Sequence, residues 1–116
     1  MCDAILTDMD SVGPIFLALS DPTRRAILER VRVKPMSVSD IASNFSVTRP
    51  AVSQHLRMLR DAGLVKSERS GRENYYGIEL RGLMAARSYL EGFWGDVLSA
   101  FQAAALAEAR QRRRKN

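Results

Sequence analysis

From Thr48 to Gly63 the apolar residues recur at helical spacing, and just past the glycine they recur as in extended chain. This change of period restricts the fold more than any other feature. At 100° per residue Val52, Leu56 and Leu59 cluster on one helix face, while Pro50, Ser53, Gln54, Arg57 and Asp61 lie on the other. One face is built to pack and the other stays polar. Thr48 is the natural N-cap, because Arg49 and Pro50 fall in the first turn, where proline's missing N–H costs nothing. The pattern runs on to Ala62, and Gly63 follows as the C-terminal glycine. Leu64–Arg69 and Asn74–Ile78 then read as two short strands joined through Ser70-Gly71-Arg72-Glu73, a β-hairpin.

The upstream half is punctuated in the same way. Ser11 opens a short helix through Val12, Ile15, Phe16 and Leu19. Asp21-Pro22 supplies an N-cap and an N1 proline for a second helix, with Ile27, Leu28 and Val31 on its apolar side, and Pro35 ends it. Ser37 with Asp40 three residues on forms an acidic capping box for a third helix through Ile41, Ala42 and Phe45. Ser46-Val47-Thr48 leaves only a tight connection to the helix beyond. From about Leu80 one long helix runs to the end region. The predicted architecture is therefore mainly α with a small β-hairpin, in the order α-α-α-α-β-β-α. That is the order of a winged helix-turn-helix, a single domain over residues 1–107 followed by a basic, disordered tail at 108–116.

Charge has to be placed before it means anything. The net charge of the 116-residue chain is +5, but residues 108–116 hold five bases against one acid, so the rest is nearly balanced. Bulk charge is a weak argument for a nucleic-acid partner. The local pattern is stronger: residues 46–60 contain Arg49, Arg57 and Arg60 and no acid, whereas residues 1–20 contain acids and no base. The lone Cys2 cannot form an internal disulfide, the acidic start is the reverse of a signal peptide, and no apolar run is long enough for a membrane span. These features place the protein in the cytoplasm, with no membrane partner.

A B-DNA major groove is about 12 Å wide and admits one helix, which needs an apolar face for its own domain and a short polar face for base edges. The segment from Thr48 to Ala62 meets both needs. Ser53 and Gln54 have the size and chemistry to reach bases, glutamine suiting adenine, and Arg49 suits a guanine edge or a phosphate. Arg57 and Arg60 are placed for phosphates, and Arg69 and Arg72 flank the hairpin tip, within reach of the backbone or the minor groove. His55 has two readings, a half-buried ring bonded to backbone or a DNA contact. Arg24 and Arg25 also have two, a phosphate contact or a solvated helix face. Tyr76 is read as core.

SDPTRRAIL (20–28), SVSDIA (37–42), SVTRPAVSQHLRMLRDAGLV (46–65) and SGRENYYGI (70–78) resemble the successive signatures of the ArsR family of winged-helix transcriptional regulators. The resemblance spans about Phe16 to Phe101. It implies a homodimer joined through the first and last helices, with the helix at 48–62 in the major groove and the hairpin as wing, usually repressing its own or neighbouring promoters. By motif match Arg49, Ser53, Gln54 and His55 take recognition positions beside Thr48 and Pro50, and Arg57, Arg69 and Arg72 meet the backbone. The sequence departs from the family's metal sensors: Ser37-Val38-Ser39 stands where thiolate members carry Cys-x-Cys, and the last helix has no His. One His and one Cys cannot supply a tight zinc or soft-metal site. The Leu90–Trp94 run instead resembles a Phe-Trp subgroup without obvious ligand-binding residues.

Leu83, Leu90, Phe93, Trp94, Val97, Leu98 and Phe101 share an arc of about 140° on the last helix. With Phe16 of the first helix they are the expected dimer interface, because a stripe this wide exceeds what a small domain covers. The expected function is a homodimeric, sequence-specific repressor of double-stranded DNA, without cofactor and with no effector identified. A winged helix used only for protein interaction would need an apolar or acidic face where this one is basic. Catalysis would need a nucleophile beside His55, and Ser53, two residues away on a helix, faces elsewhere.

Overall fold

The structure, a computed structural model, describes residues 12–115. The chain divides into a compact unit ending at Ala86 and a second unit from Arg87 onward.

In the first unit, α1 (Gly13–Leu19) is entered from Val12, which offers no side-chain cap; Ser11, expected to open this helix, lies outside the described residues. The other starts follow the sequence. α2 (Pro22–Val33) begins where Asp21 accepts a hydrogen bond from the Arg24 N–H at 3.0 Å. α3 (Val38–Asn44) carries the full capping box, with Ser37 Oγ accepting from the Asp40 N–H and the Asp40 carboxylate accepting from the Ser37 N–H. α4 (Arg49–Asp61) starts under Thr48, whose Oγ1 accepts from the Ala51 N–H at 3.3 Å. Gly63 follows with φ at 75°, the left-handed turn-out that glycine takes without steric cost.

The hairpin is longer and its turn tighter than expected. β2 (Val65–Ser70) and β3 (Glu73–Ile78) stay in register out to Ser70 opposite Glu73, so the tip is only Gly71-Arg72. Positive φ at Gly71 and at no other non-helical tip residue is the sign pattern of a type II′ turn, whose twist matches paired strands. A third strand, β1 (Met36–Ser37), pairs with β3 and makes the sheet order β1-β3-β2. Two residues are too few to show an alternation, so no sequence pattern announces it. Tyr76, read as core, is only half-buried, opposite Met36 on one side and Ser67 on the other.

The core of this unit is built from one to three residues of each helix together with Leu64 just beyond α4, with Ile27, Ile41, Leu56, Leu59 and Leu64 all at 1% exposure or less. α5 (Leu80–Lys115) starts beside the end of α4, where the Gly82 N–H donates to the Gly63 carbonyl at 2.8 Å. A Cβ on Gly82 would lie 2.5 Å from the Ala62 carbonyl oxygen, so only glycine permits that approach.

The second unit is the remainder of α5. It corrects the expectation of a disordered tail, because the helix continues through residue 115. The reasons are local: the alanines at 103, 104, 105, 107 and 109 are the best helix formers. Arg112 bonds Glu108 one turn back at 3.0 Å, and cations near a helix C-terminus meet its negative dipole end.

Candidate nucleic-acid interface

The face of α4 that does not pack carries the expected reading residues. Val52, Leu56 and Leu59 are at 0–1% exposure and anchor the helix, while Arg49, Pro50, Ser53, Gln54, Arg57 and Arg60 are all exposed, as is the cap Thr48. Burying three branched side chains fixes the rotation of the helix, so its polar face is presented by a rigid element.

The arginines of this face make no ion pair among the described residues. Both ion pairs among the described residues lie on α5, Arg87 with Glu91 and Arg112 with Glu108. Arg57, Arg60 and Arg72 therefore have no carboxylate partner there. Arg49 Nη2 donates to Ser39 Oγ at 2.7 Å, which ties the first residue of α4 to α3 across the helix-turn-helix. On the wing, Arg69 folds its Nε over the tip onto the Gly71 carbonyl at 3.3 Å, and Arg72 stands in the turn itself. Apart from Val65, β2 is exposed along its length, as befits a ribbon that projects from the core.

His55 is half-buried, and its Nδ1 lies 3.4 Å from the Arg24 Nη1. Neither sequence reading of Arg24 holds. Its guanidinium turns inward, Nε donating to the Ala18 carbonyl at 2.8 Å and Nη2 to the Leu17 carbonyl at 3.1 Å. Arg25 likewise donates to the Leu19 carbonyl at 2.7 Å. Two arginines thus serve the last carbonyls of α1, of which Leu17's also accepts from the Ser20 N–H and hydroxyl. The signal for this was in the sequence: a helix break at Ser20-Asp21 followed within one turn by paired arginines. Nearby, Asp21 is held below the usual carboxylate range, first by the Arg24 N–H, against the opposing effect of desolvation, and further by the Arg24 and His55 side chains.

The apolar stripe expected to pair two copies is laid out along α5. Leu90, Phe93, Trp94, Val97, Leu98 and Phe101 are between 47% and 74% exposed. Tyr89 meets Phe93 edge-on with ring centroids 5.1 Å apart. Leu83, like Phe16 on α1, is half-buried. Among the described residues no three His, Cys, Asp or Glu are grouped to hold a metal ion. No helix among the described residues is long and apolar enough to cross a membrane.

Residues 21–67 match the bacterial regulatory protein family arsR. Over 84 residues the chain is 43% identical to the HTH-type transcriptional regulator Rv2034 of Mycobacterium tuberculosis, covering 72% of this chain and 78% of that protein. The chain belongs to the ArsR family. A second relative is the transcriptional repressor SdpR of Bacillus subtilis, 34% identical over 79 residues, 68% of this chain and 88% of the repressor. Among solved structures, the homodimeric winged helix-turn-helix DNA-binding domain Mb0332 of Mycobacterium bovis is similar with a TM-score of 0.58 and 29% identity, over 81% of this chain and 83% of that one. The fold is that of a winged helix-turn-helix regulator, and the family and relatives are transcriptional regulators rather than enzymes.

Proposed function

We propose that two copies of this ArsR-family chain form a repressor that inserts α4 of each copy into successive turns of a major groove. The operator is an inverted repeat with half-sites about one helical turn apart, in the protein's own or a neighbouring promoter. Thr48, Arg49, Pro50, Ser53, Gln54 and His55 form the major-groove surface, and Arg57, Arg60, Arg69 and Arg72 take the phosphate backbone. The single observation that carries this reading is the outward face of α4, exposed, small-polar and basic, with arginines that have no carboxylate partner among the described residues. A helix kept for protein contact alone would not leave such cations unneutralised.

Pairing rests on the exposed α5 stripe, where five large apolar side chains stand at more than half exposure. An apolar surface of that extent marks an interface. The homodimeric relative from Mycobacterium bovis supports pairing of two copies. A reader of chromosomal DNA of this kind works in the cytoplasm.

The test is selection of bound duplexes from a random pool, followed by anisotropy titration of the winning sequence. Enrichment of an inverted repeat bound by a dimer is the expected result. Recovery of no preferred sequence, or a monomer bound to a single half-site, overturns the proposal.

A further inference from the structure

All three guanidinium nitrogens of Arg24 are engaged. Nε and Nη2 are clamped by the Ala18 and Leu17 carbonyls at 2.8 and 3.1 Å, and Nη1 faces His55 Nδ1 at 3.4 Å. The two carbonyls belong to the last turn of α1, the negative end of that helix, which holds a cation well. With two of its nitrogens fixed, the planar fork has no freedom to swing the third away.

A guanidinium only donates, so the ring nitrogen facing it has to accept. Nδ1 of His55 therefore carries the lone pair, and the proton of the neutral ring sits on Nε2. Nε2 has no hydrogen-bond partner among the described residues. His55 follows Gln54 on α4, next to the residues read as base contacts.

We infer that Arg24 is a positioning residue for DNA reading: it holds His55 as the Nε2–H form and so offers that edge as a donor to an acceptor on the duplex. The acceptor is guanine N7 or O6, or a phosphate oxygen. This rests on the proposed insertion of α4 into the groove. Three of the five N–H donors of Arg24 are committed within the protein, and the role assigned to it needs no contact of its own with DNA.

The chain has one histidine, so its imidazole signals are unambiguous. Nitrogen-15 NMR of the free protein, at a pH where the ring is neutral, is expected to show the Nε2–H form alone. Arg24→Lys, with one mobile nitrogen in place of the fork, is expected to let the Nδ1–H form appear. In titrations with the selected duplex, Arg24→Lys should bind several-fold more weakly while the slope of log affinity against log salt stays unchanged. Arg24→Gln removes the charge as well: a direct phosphate contact from Arg24 would then make that slope shallower by about 1.8 for the dimer, whereas a positioning role leaves it unchanged. His55→Gln, which keeps a donor near the Nε2 position, should retain most of the affinity, whereas His55→Leu should lose about tenfold, a change of about 1.4 kcal/mol. Loss confined to one base position assigns a base acceptor, and uniform loss assigns a phosphate.

The inference is overturned by an Nδ1–H ring in the unaltered protein, by identical tautomers in Arg24→Lys, by a salt slope that changes in Arg24→Gln, or by His55→Leu binding as the parent does. If the unaltered protein binds no duplex, the proposed function falls along with the role in reading. The NMR result then still decides whether Arg24 fixes the ring.

Discussion

Arg72 stands in the two-residue tip of the wing, exposed and without an ion-pair partner among the described residues. If its guanidinium lies on a phosphate, Arg72→Ala removes one such contact per copy and two per dimer. Each neutralised phosphate contributes about 0.9 to the slope of log affinity against log salt, so the slope should become shallower by about 1.8. Over a fourfold rise in salt this is a difference of about 12-fold in how steeply binding falls. The assay is anisotropy titration of a labelled operator at four or five salt concentrations, repeated with an unrelated duplex. Both should lose affinity together, because a phosphate contact carries no sequence information. Arg87→Ala is the control: Arg87 is paired with Glu91 on α5 at 2.8 Å, and its removal should leave the slope alone. An unchanged slope in Arg72→Ala, or a loss on the operator but not on the unrelated duplex, refutes the placement of the wing on the backbone.

Gln54→Ala should relax base preference at one position in each half-site, by about 1–3 kcal/mol of discrimination, read by repeating the duplex selection; an unchanged preference removes Gln54 from the groove. Trp94→Glu should convert the dimer to monomers in sedimentation equilibrium without lowering helicity, and an unaltered mass would mean that the α5 stripe is not the interface. Leu56→Ala, at a site 1% exposed, should cost about 2–5 kcal/mol in chemical denaturation, a loss under 1 kcal/mol contradicting the packing of α4. Asp21 gives a pH test: its carboxyl is lowered on folding, so the ionised form stabilises the fold above the ordinary carboxylate range, and this is lost as pH falls below about 4. Asp21→Asn keeps a capping oxygen but not that charge, so the stability gap to the parent protein should close in acid; an equal gap at pH 7 and pH 3 rejects the assignment.

Helix starts were legible because each is written in side-chain chemistry that acts over three residues. Asp21, Ser37 and Thr48 each cap the backbone N–H three positions on. The face of α4 was legible for a similar reason, since burial follows the 3.6-residue period. Strand β1 was not legible, because two residues carry no period and its pairing with β3 is set about 40 residues away by the fold. The inward turn of Arg24 was written locally, in the helix break at Ser20-Asp21, and only its approach to the ring of His55, 31 positions on, depends on a distant partner. The tail was misjudged in the opposite direction. Its charge run suggested a solvated end, while its alanines and the Glu108–Arg112 pair favour helix.

The contrast in burial between α4 and the wing assigns them different work. α4 is held by three fully buried side chains, capped by Thr48 at its start and tied to α3 through Arg49 and Ser39. Base discrimination needs donors and acceptors placed within a fraction of an ångström, and only an element fixed in this way supplies that. The wing has one buried residue in β2 and a tip of two residues, so it gains little from packing and is drawn from the least stable part of the unit. A mobile arginine still finds a phosphate, since the backbone offers the same charge at every step. If α4 enters the groove as proposed, selectivity belongs to Ser53 and Gln54, and affinity that any duplex can share belongs to Arg69 and Arg72. Moving Gln54 to a new register should change which operator is chosen, while lengthening the wing tip should change only how tightly all duplexes are held.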